Sequence, residues 1–159
     1  MTDAQKPGEA AIFYLDDLHV GQRFSSGSYV LDEAQIKRFA TEFDPQPSDL
    51  DNAAKTTLFG SLAASGWHTA AVTMRLLVRG GLPIAGGIIS SGGELNWLKP
   101  TRPGDTLRVE SEIVEITHRA RSQVVAACVC QRNTQSAWRG CSDIHGAVGG
   151  AASRRAPIR

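Results

Sequence analysis

The stretch that decides the fold is residues 61–78, which read SLAASGWHTAAVTMRLLV. Arg75 is the one charged residue in it, and most of the other positions are apolar or small. Apolar side chains recur at helical intervals, namely at Leu62, Trp67, Ala70, Ala71, Met74, Leu77 and Val78. A helix that is apolar or small on nearly its whole circumference is normally buried on most sides. We therefore predict one long buried helix that is closely surrounded by a wrapped sheet or by a second subunit.

The chain before this helix contains short strand-like pieces over residues 12–30 and then another helix. Asp32 stands at an N-cap position, and apolar residues recur at helical spacing after it, which predicts an amphipathic helix over 33–43. The run Asp-Pro-Gln-Pro at 44–47 ends that helix, because a residue before proline avoids the α region and proline lacks a backbone donor. A short helical piece is expected over about 51–57.

The chain after the long helix is rich in β-forming residues. Gly80 and Gly81 end the helix. The strand-like segments that follow cover 87–98, 105–118 and 123–131, and a further strand is weakly indicated within 136–148. Helices followed by a run of antiparallel strands predict an α+β domain. We expect this single domain to cover 12–148, with flexible tails at 1–11 and 149–159.

The overall composition excludes several classes of protein. The chain has 159 residues, of which 42% are hydrophobic and 21% charged, as is typical of one globular domain. A net charge of +1 gives no electrostatic reason to expect nucleic acid or a membrane surface as partner. The apolar stretches are far shorter than the ~20 residues that span a bilayer. Residues 1–10 are polar, so we expect no secretory signal there.

The cysteines favour free thiols and a cytoplasmic location. Cys128, Cys130 and Cys141 are an odd number and lack the spacing of a metal finger. A disulfide or metal role is the less favoured alternative, and buried or half-buried free thiols are the simpler interpretation. We expect no metal site.

Three motifs together resemble the MaoC-like dehydratase family, which includes the R-specific enoyl-CoA hydratases. The first is FATEFDPQPSDLD at 39–51, and the second is ASGWH at 64–68, where the long helix opens. The third is WLKPTRPGDTL at 97–107, a turn between late strands. The resemblance covers about residues 12–131 in the right order.

The resemblance implies a fold and an assembly. The fold is the hotdog, a curved antiparallel sheet wrapped around one long buried helix, which agrees with the apolar circumference of residues 61–78. Family domains usually pair into a continuous sheet with shared active sites. The resemblance thus implies a homodimer or a higher oligomer, with an acyl-CoA thioester as substrate. It implies no separate cofactor, because coenzyme A is part of the substrate.

The resemblance also implies a set of site residues. The family adds water to a trans-2-enoyl-CoA, using an Asp and a His five residues later to hold the water and a glycine amide to bind the thioester oxygen. The Asp falls on Asp44 and the glycine on Gly66, while the position of the His holds Asp49. Ser65 stands where relatives often have another His. Ser65, Trp67 and His68, around the opening of the helix, are the expected substrate-binding residues.

Asp49 has three interpretations. It is a solvated loop residue beside a degenerate site, or it pairs with Asp44 so that like-charge repulsion raises the pKa of one carboxyl. In the third, the alignment is shifted by a residue or another histidine serves, and His68 is the nearby candidate. His68 itself is more simply a helix histidine that bonds to backbone, and Asp44 before a proline is also a common turn former.

The remaining charged candidates are less informative. Lys99 and Arg102 could face the phosphates of coenzyme A, yet a solvated turn explains them equally well. The other histidines lie in strand or tail contexts and are interpreted as structural or surface residues; they are His19, His118 and His145.

Three functions compete at this point. The leading hypothesis is a hydratase or dehydratase that acts on enoyl-CoA or 3-hydroxyacyl-CoA thioesters in fatty acid metabolism. The loss of the histidine motivates the second, a catalytically silent hotdog domain that binds acyl-CoA or serves as a partner subunit. The third is an acyl-CoA thioesterase, in which a carboxylate activates water against the carbonyl. Fold alone does not decide among them.

Overall fold

The computed structural model describes residues 12–46, 60–90, 95–97, 99–119, 122–133 and 146–149. Two helices, α1 and α2, and five strands make up this part of the chain. The helices are α1 (Glu33–Phe43) and α2 (Gly66–Leu76). The strands are β1 (Arg23–Val30), β2 (Ile89–Ser90), β3 (Thr106–Arg119), β4 (Ser122–Asn133) and β5 (Gly146–Gly149). A 3₁₀ turn covers Leu15–Asp17, and a wide π turn covers Leu77–Gly81.

Helix α1 forms where the sequence predicts it, and its first turn shows why. The Asp32 carboxylate accepts a hydrogen bond from the Gln35 amide N–H at 2.7 Å, and the Gln35 side chain accepts one from the Asp32 N–H at 3.1 Å. This reciprocal pair satisfies two donors that a helix start leaves unpaired. Ile36 and Ala40 lie on the apolar face of the helix, which points into the core, and both are buried. The helix ends at Asp44, whose N–H donates to the Ala40 carbonyl at 2.9 Å.

Helix α2 is shorter and less enclosed than the sequence predicts. It begins at Gly66, is capped by Ser65, and passes into the π turn after Leu76. One side is buried, through His68, Thr69, Val72, Thr73 and Leu76. The opposite side exposes Trp67 and Met74, and Val78 in the π turn is exposed as well, so the single chain by itself does not bury the helix on nearly all sides. The physical reason is that the sheet of one chain covers one side of the helix.

The five strands form one antiparallel sheet in the order β1-β3-β4-β5-β2. Strands β3 and β4 pair along nearly their whole length and confirm the predicted strands at 105–118 and 123–131. The register shifts between Ser25 and Ser28 in β1 and between Ile113 and Glu115 in β3. Such irregularities bend strands and increase twist, which helps the sheet to curve around α2.

Other strand predictions are met in part. Within the predicted strand at 87–98, Ile89–Ser90 is strand, the described residues 87–88 and 95–97 are not, and 91–94 and 98 lie outside the described residues. The weak strand predicted within 136–148 corresponds to β5, which extends one residue into the predicted C-terminal tail. The helical piece predicted at 51–57 lies outside the described residues, as do 1–11 and 150–159.

The core lies between α1, α2 and the inner face of the sheet. Its most deeply buried apolar side chains include Leu15, Leu31, Ile36, Leu82, Leu107, Val109 and Ile113. The segment before α2 is tied to the turn before β3, since the Ala64 N–H donates to the Thr101 carbonyl at 2.8 Å. The Thr69 and Thr101 hydroxyls also bond at 3.2 Å inside the core. These contacts fix the start of α2 against the sheet.

Among the described residues, no helix combines the length and the apolar character needed to cross a bilayer.

Candidate active site

Asp44 directly follows the last residue of α1 and lies beside the start of α2 in the folded chain. Both of its carboxylate oxygens accept hydrogen bonds. The Ser65 hydroxyl donates to Oδ2 at 2.6 Å, and the Gln46 amide nitrogen donates to Oδ1 at 2.7 Å. These two bonds lower the pKa of Asp44, and the bond from Ser65 has the larger effect. Slight burial acts in the opposite direction. Hydrogen bonds to a carboxylate favour its ionised form. Asp44 is therefore a charged and oriented carboxylate at neutral pH.

Ser65 connects this carboxylate to the start of α2. Its hydroxyl oxygen accepts a hydrogen bond from the Trp67 N–H at 3.2 Å while its proton points to Asp44. The side chain is buried and makes both bonds at once. Ser65 thus satisfies one of the donors that every helix start leaves open and places Asp44 beside that start.

The Gly66 amide is the first of α2, and it has no acceptor in the described part of the chain. Unpaired amides and the helix dipole both favour negative charge at this position. The structure therefore brings together an ionised Asp44 and an open amide donor, as the resemblance implies. A thioester oxygen that becomes enolate-like is the kind of group that such a donor stabilises.

Trp97 packs directly against Gly66. A Cβ atom added to Gly66 would stand 2.8 Å from the Trp97 indole ring, closer than side chains allow. Gly66 is needed here for close approach, since its backbone is ordinary helix. The Trp97 ring also meets the Trp67 ring edge-on, with centroids 5.6 Å apart. Both indoles are partly open to solvent, with 60% of Trp67 and 46% of Trp97 exposed.

His68 lies on the inner side of α2, away from solvent. Its ring stacks on Phe39 of α1 at a centroid distance of 4.5 Å and is 8% exposed. Burial, and then the charge of Arg38, lower the pKa of His68 below its usual 6.5. The buried Nδ1 has no hydrogen-bond partner among the described residues. His68 is thus a neutral packing side chain between the two helices, and its predicted contact with substrate stays a prediction.

The other predicted residues have different outcomes. Asp49 lies outside the described residues, so its three interpretations stay open. Arg102 donates from its guanidinium to the Ser61 hydroxyl and, at 3.5 Å, to the Leu62 carbonyl. Its N–H also bonds to the Asp105 carboxylate at 2.8 Å. Arg102 therefore braces the segment that leads into α2, which favours a structural role over contact with phosphates.

Two residues at the site were not selected from the sequence. Gln46 and Trp97 both lie inside motifs quoted for the resemblance, and that location is the one sign in the sequence that they belong to the site. Their contacts with Asp44 and Gly66 could not be inferred from spacing. No group of residues suited to holding a metal ion occurs in the described ranges.

Comparisons with known proteins found a family model and a curated relative. A family model described as "MaoC like domain" matches residues 18–133. The curated protein YdeM of Bacillus subtilis, itself described as uncharacterized, is 34% identical over 105 residues, which are 64% of this chain and 73% of YdeM.

Two solved structures show the same likeness. A MaoC-like dehydratase from Rhodospirillum rubrum is 47% identical and superposes with a TM-score of 0.82, covering 92% of this chain and 99% of that one. The R-hydratase PhaJ1 from Pseudomonas aeruginosa is 25% identical, with a TM-score of 0.68, and the match covers 92% of this chain and 95% of that one.

Proposed function

Because the chain belongs to the MaoC-like family and has its hotdog fold, we propose that it is a hydratase or dehydratase of enoyl-CoA and 3-hydroxyacyl-CoA thioesters. The observation that carries the proposal is the hydrogen bond from Ser65 to Asp44. It ties an ionised carboxylate to the residue directly before Gly66, whose amide is open. A base and an oxyanion donor side by side are what water addition to an unsaturated thioester requires.

In the proposed reaction Asp44 accepts a proton from a bound water. The water oxygen forms a bond to the β-carbon, and the π electrons of the double bond shift toward the thioester carbonyl. The Gly66 N–H stabilises the resulting enolate oxygen. When the enolate collapses, the α-carbon takes a proton from the protonated Asp44, so that water has been added across the double bond and the carboxylate is restored. Dehydration follows the same steps in reverse.

Several finer features are part of the proposal. The substrate carries coenzyme A, no separate cofactor takes part, and the pathway is fatty acid metabolism in the cytoplasm. A homodimer or higher oligomer would cover the exposed apolar side of α2 and of the π turn after it, where Trp67 and Val78 are 60% and 58% exposed. Large apolar side chains on one exposed face support a protein partner there.

The second candidate is a catalytically silent subunit that binds acyl-CoA. The observation that favours it is Asp49 at the position where the family has histidine. A site that has lost one of its two water-holding groups can keep the thioester-binding amide of Gly66 and yet lack turnover.

One assay separates these candidates. Hydration of crotonyl-CoA is followed by the loss of enone absorbance for the wild type, Asp44→Asn and Asp49→His. Asp16→Asn is the matched control, since it makes the same change at an exposed turn. We expect turnover by the wild type and by the control, and loss of turnover in Asp44→Asn.

The opposite results are equally informative. An inactive wild type together with activity in Asp49→His would overturn the hydratase proposal in favour of the silent subunit. Release of free coenzyme A by the wild type, measured in parallel, would instead identify a thioesterase.

A further inference from the structure

Gln46 is attached to Asp44 by two hydrogen bonds. Its backbone N–H donates to the Asp44 carbonyl at 2.7 Å, which closes a three-residue turn around Pro45. Its side-chain Nε2 donates to the Asp44 carboxylate at 2.7 Å. Pro45 restricts the backbone of this turn because its ring holds φ near one value. The Gln46 amide is therefore held beside the carboxylate, although the residue itself is exposed to solvent.

The carboxylate of Asp44 is held from both sides. Ser65 binds Oδ2 and Gln46 binds Oδ1, so the two donors together restrict rotation about the bond that carries the carboxyl group. Ser65 belongs to the start of α2, whereas Gln46 belongs to the chain that leaves α1. The plane of the carboxylate is thus defined by two segments that meet only in the folded protein.

From this geometry we infer that Gln46 is a positioning residue, which orients both Asp44 and the water that Asp44 activates. The inference rests on the proposed hydration. The Gln46 amide carries an acceptor oxygen next to the donor nitrogen, and in the described part of the chain no donor reaches it. A water that gives one proton to Asp44 can give its second hydrogen bond to this oxygen. A lone pair of this water is then left for attack on the β-carbon of the substrate.

This arrangement supplies one half of what the missing histidine would supply. A second hydrogen-bonding group still holds the water, but a neutral amide does not take up a proton at any working pH. Gln46 therefore holds the water and takes no part in proton transfer. The amide also keeps Asp44 ionised, because the Gln46 bond is the second cause of its lowered pKa.

The test compares Gln46→Met, Gln46→Glu and the matched control Gln22→Met. Methionine keeps the length of the side chain and removes both polar atoms, whereas glutamate keeps an acceptor and adds a like charge beside Asp44. Gln22 is a suitable control because its amide also bonds within a turn, to the His19 N–H at 3.1 Å, in a turn of its own before β1. Thermal unfolding should be the same for all four proteins within the error of the method.

We expect kcat/KM for crotonyl-CoA hydration to fall about tenfold to 100-fold in Gln46→Met, the usual cost of a misplaced reacting group. The acid limb of the pH profile should move to higher pH in Gln46→Met and further in Gln46→Glu. It should stay in place in Gln22→Met. A residue with a purely structural role would not shift this limb, since the limb reports the carboxyl that must be ionised in the free enzyme.

A second measurement does not depend on turnover. The carboxyl carbon of Asp44, followed by NMR titration without substrate, should show a higher pKa in both Gln46 variants than in the wild type. If the wild type turns over while Gln46→Met keeps its kcat/KM and its Asp44 titration, the inference on Gln46 is overturned and the proposed function stands. If the wild type hydrates no enoyl-CoA, the proposed function falls, and the role of Gln46 in holding water falls with it.

Discussion

Asp44 and His68 both lie near the start of α2, and the pKa of each is lowered, but for opposite reasons. Hydrogen bonds from Ser65 and Gln46 lower the pKa of Asp44 by favouring its charge. Burial against Phe39 lowers the pKa of His68 by disfavouring its charge. At neutral pH the same direction of shift therefore gives a charged, accessible carboxylate and a neutral, enclosed imidazole. His68 therefore packs between the two helices, whereas the acid–base role of Asp44 belongs to the proposed function.

The largest expected effect tests that assignment directly. Asp44→Asn should lower kcat/KM by about 100- to 10,000-fold, the range that a positioned acid or base contributes. His68→Phe keeps a flat ring on Phe39 and should stay within about tenfold of the wild type, because no proton passes through it. Steady-state hydration of crotonyl-CoA by both variants provides the measurement. A greater loss in His68→Phe than in Asp44→Asn would reverse the comparison and make His68 the missing histidine.

The next effect concerns the packing that keeps the start of α2 in place. Gly66→Ala places a methyl group 2.8 Å from the Trp97 ring. We expect a loss of about 1–3 kcal/mol in the free energy of unfolding, as is typical of overpacking. Urea unfolding would measure it. In a chain that already carries Trp97→Ala, Gly66→Ala should cost less stability than it does in the wild type. Equal costs in the two backgrounds would show that the two residues do not meet.

A smaller effect is expected from removing the Ser65 hydroxyl. Ser65→Ala removes a helix cap and should cost about 1 kcal/mol of stability. It also removes the first cause of the lowered pKa of Asp44, so that pKa should rise. Ser65→Thr keeps the hydroxyl and serves as the control for both readouts. NMR titration measures the pKa of Asp44, and urea unfolding measures the free energy of unfolding. The prediction is wrong if Ser65→Ala matches the wild type in both quantities.

The smallest expected effect is the dependence of stability on pH that His68 contributes. Its folded pKa lies below its unfolded value of 6.5, so the unfolded chain binds more protons between these values. The contribution of His68 to stability is therefore complete above pH 6.5 and is lost as pH falls toward the folded pKa. His68→Phe should lack this loss and differ from the wild type by less than about 1.5 kcal/mol at neutral pH.

Unfolding curves at neutral pH and below about pH 6 would measure this difference. Equal pH dependence in the wild type and in His68→Phe would show that His68 is not buried as a neutral ring. His19→Phe is the matched control, because His19 is exposed before β1 and should leave the acid loss of stability intact.

Much of the fold could be predicted because its signals act between near neighbours in the chain. The capping residue Asp32 and the spacing of Ile36 and Ala40 predict α1 with its observed bounds. The alternation within 107–114 predicts β3, and Asp44 before Pro45 predicts the end of α1. The single chain buries one side of α2, since a side-chain pattern shows that a surface is apolar and not which molecule covers it.

The site was predictable only as far as the motifs reach. Asp44 and Gly66 could be named from the resemblance, whereas Gln46 and Trp97 could not. Gln46 is polar and follows a proline, which is equally typical of an ordinary turn. Trp97 is 31 positions from Gly66, so their contact depends on how the turn before β3 returns to the start of α2.

The sequence by itself thus determined α1, the long strands and the presence of a carboxylate at a helix end. These follow from periodicity, capping and proline, which depend on a few adjacent residues. Only the tertiary structure decided that Ser65, 21 residues away, binds Asp44 and that His68 stacks on Phe39. Those contacts arise when α1 and α2 pack together, because packing sets which side chains share a hydrogen bond and which lose their water.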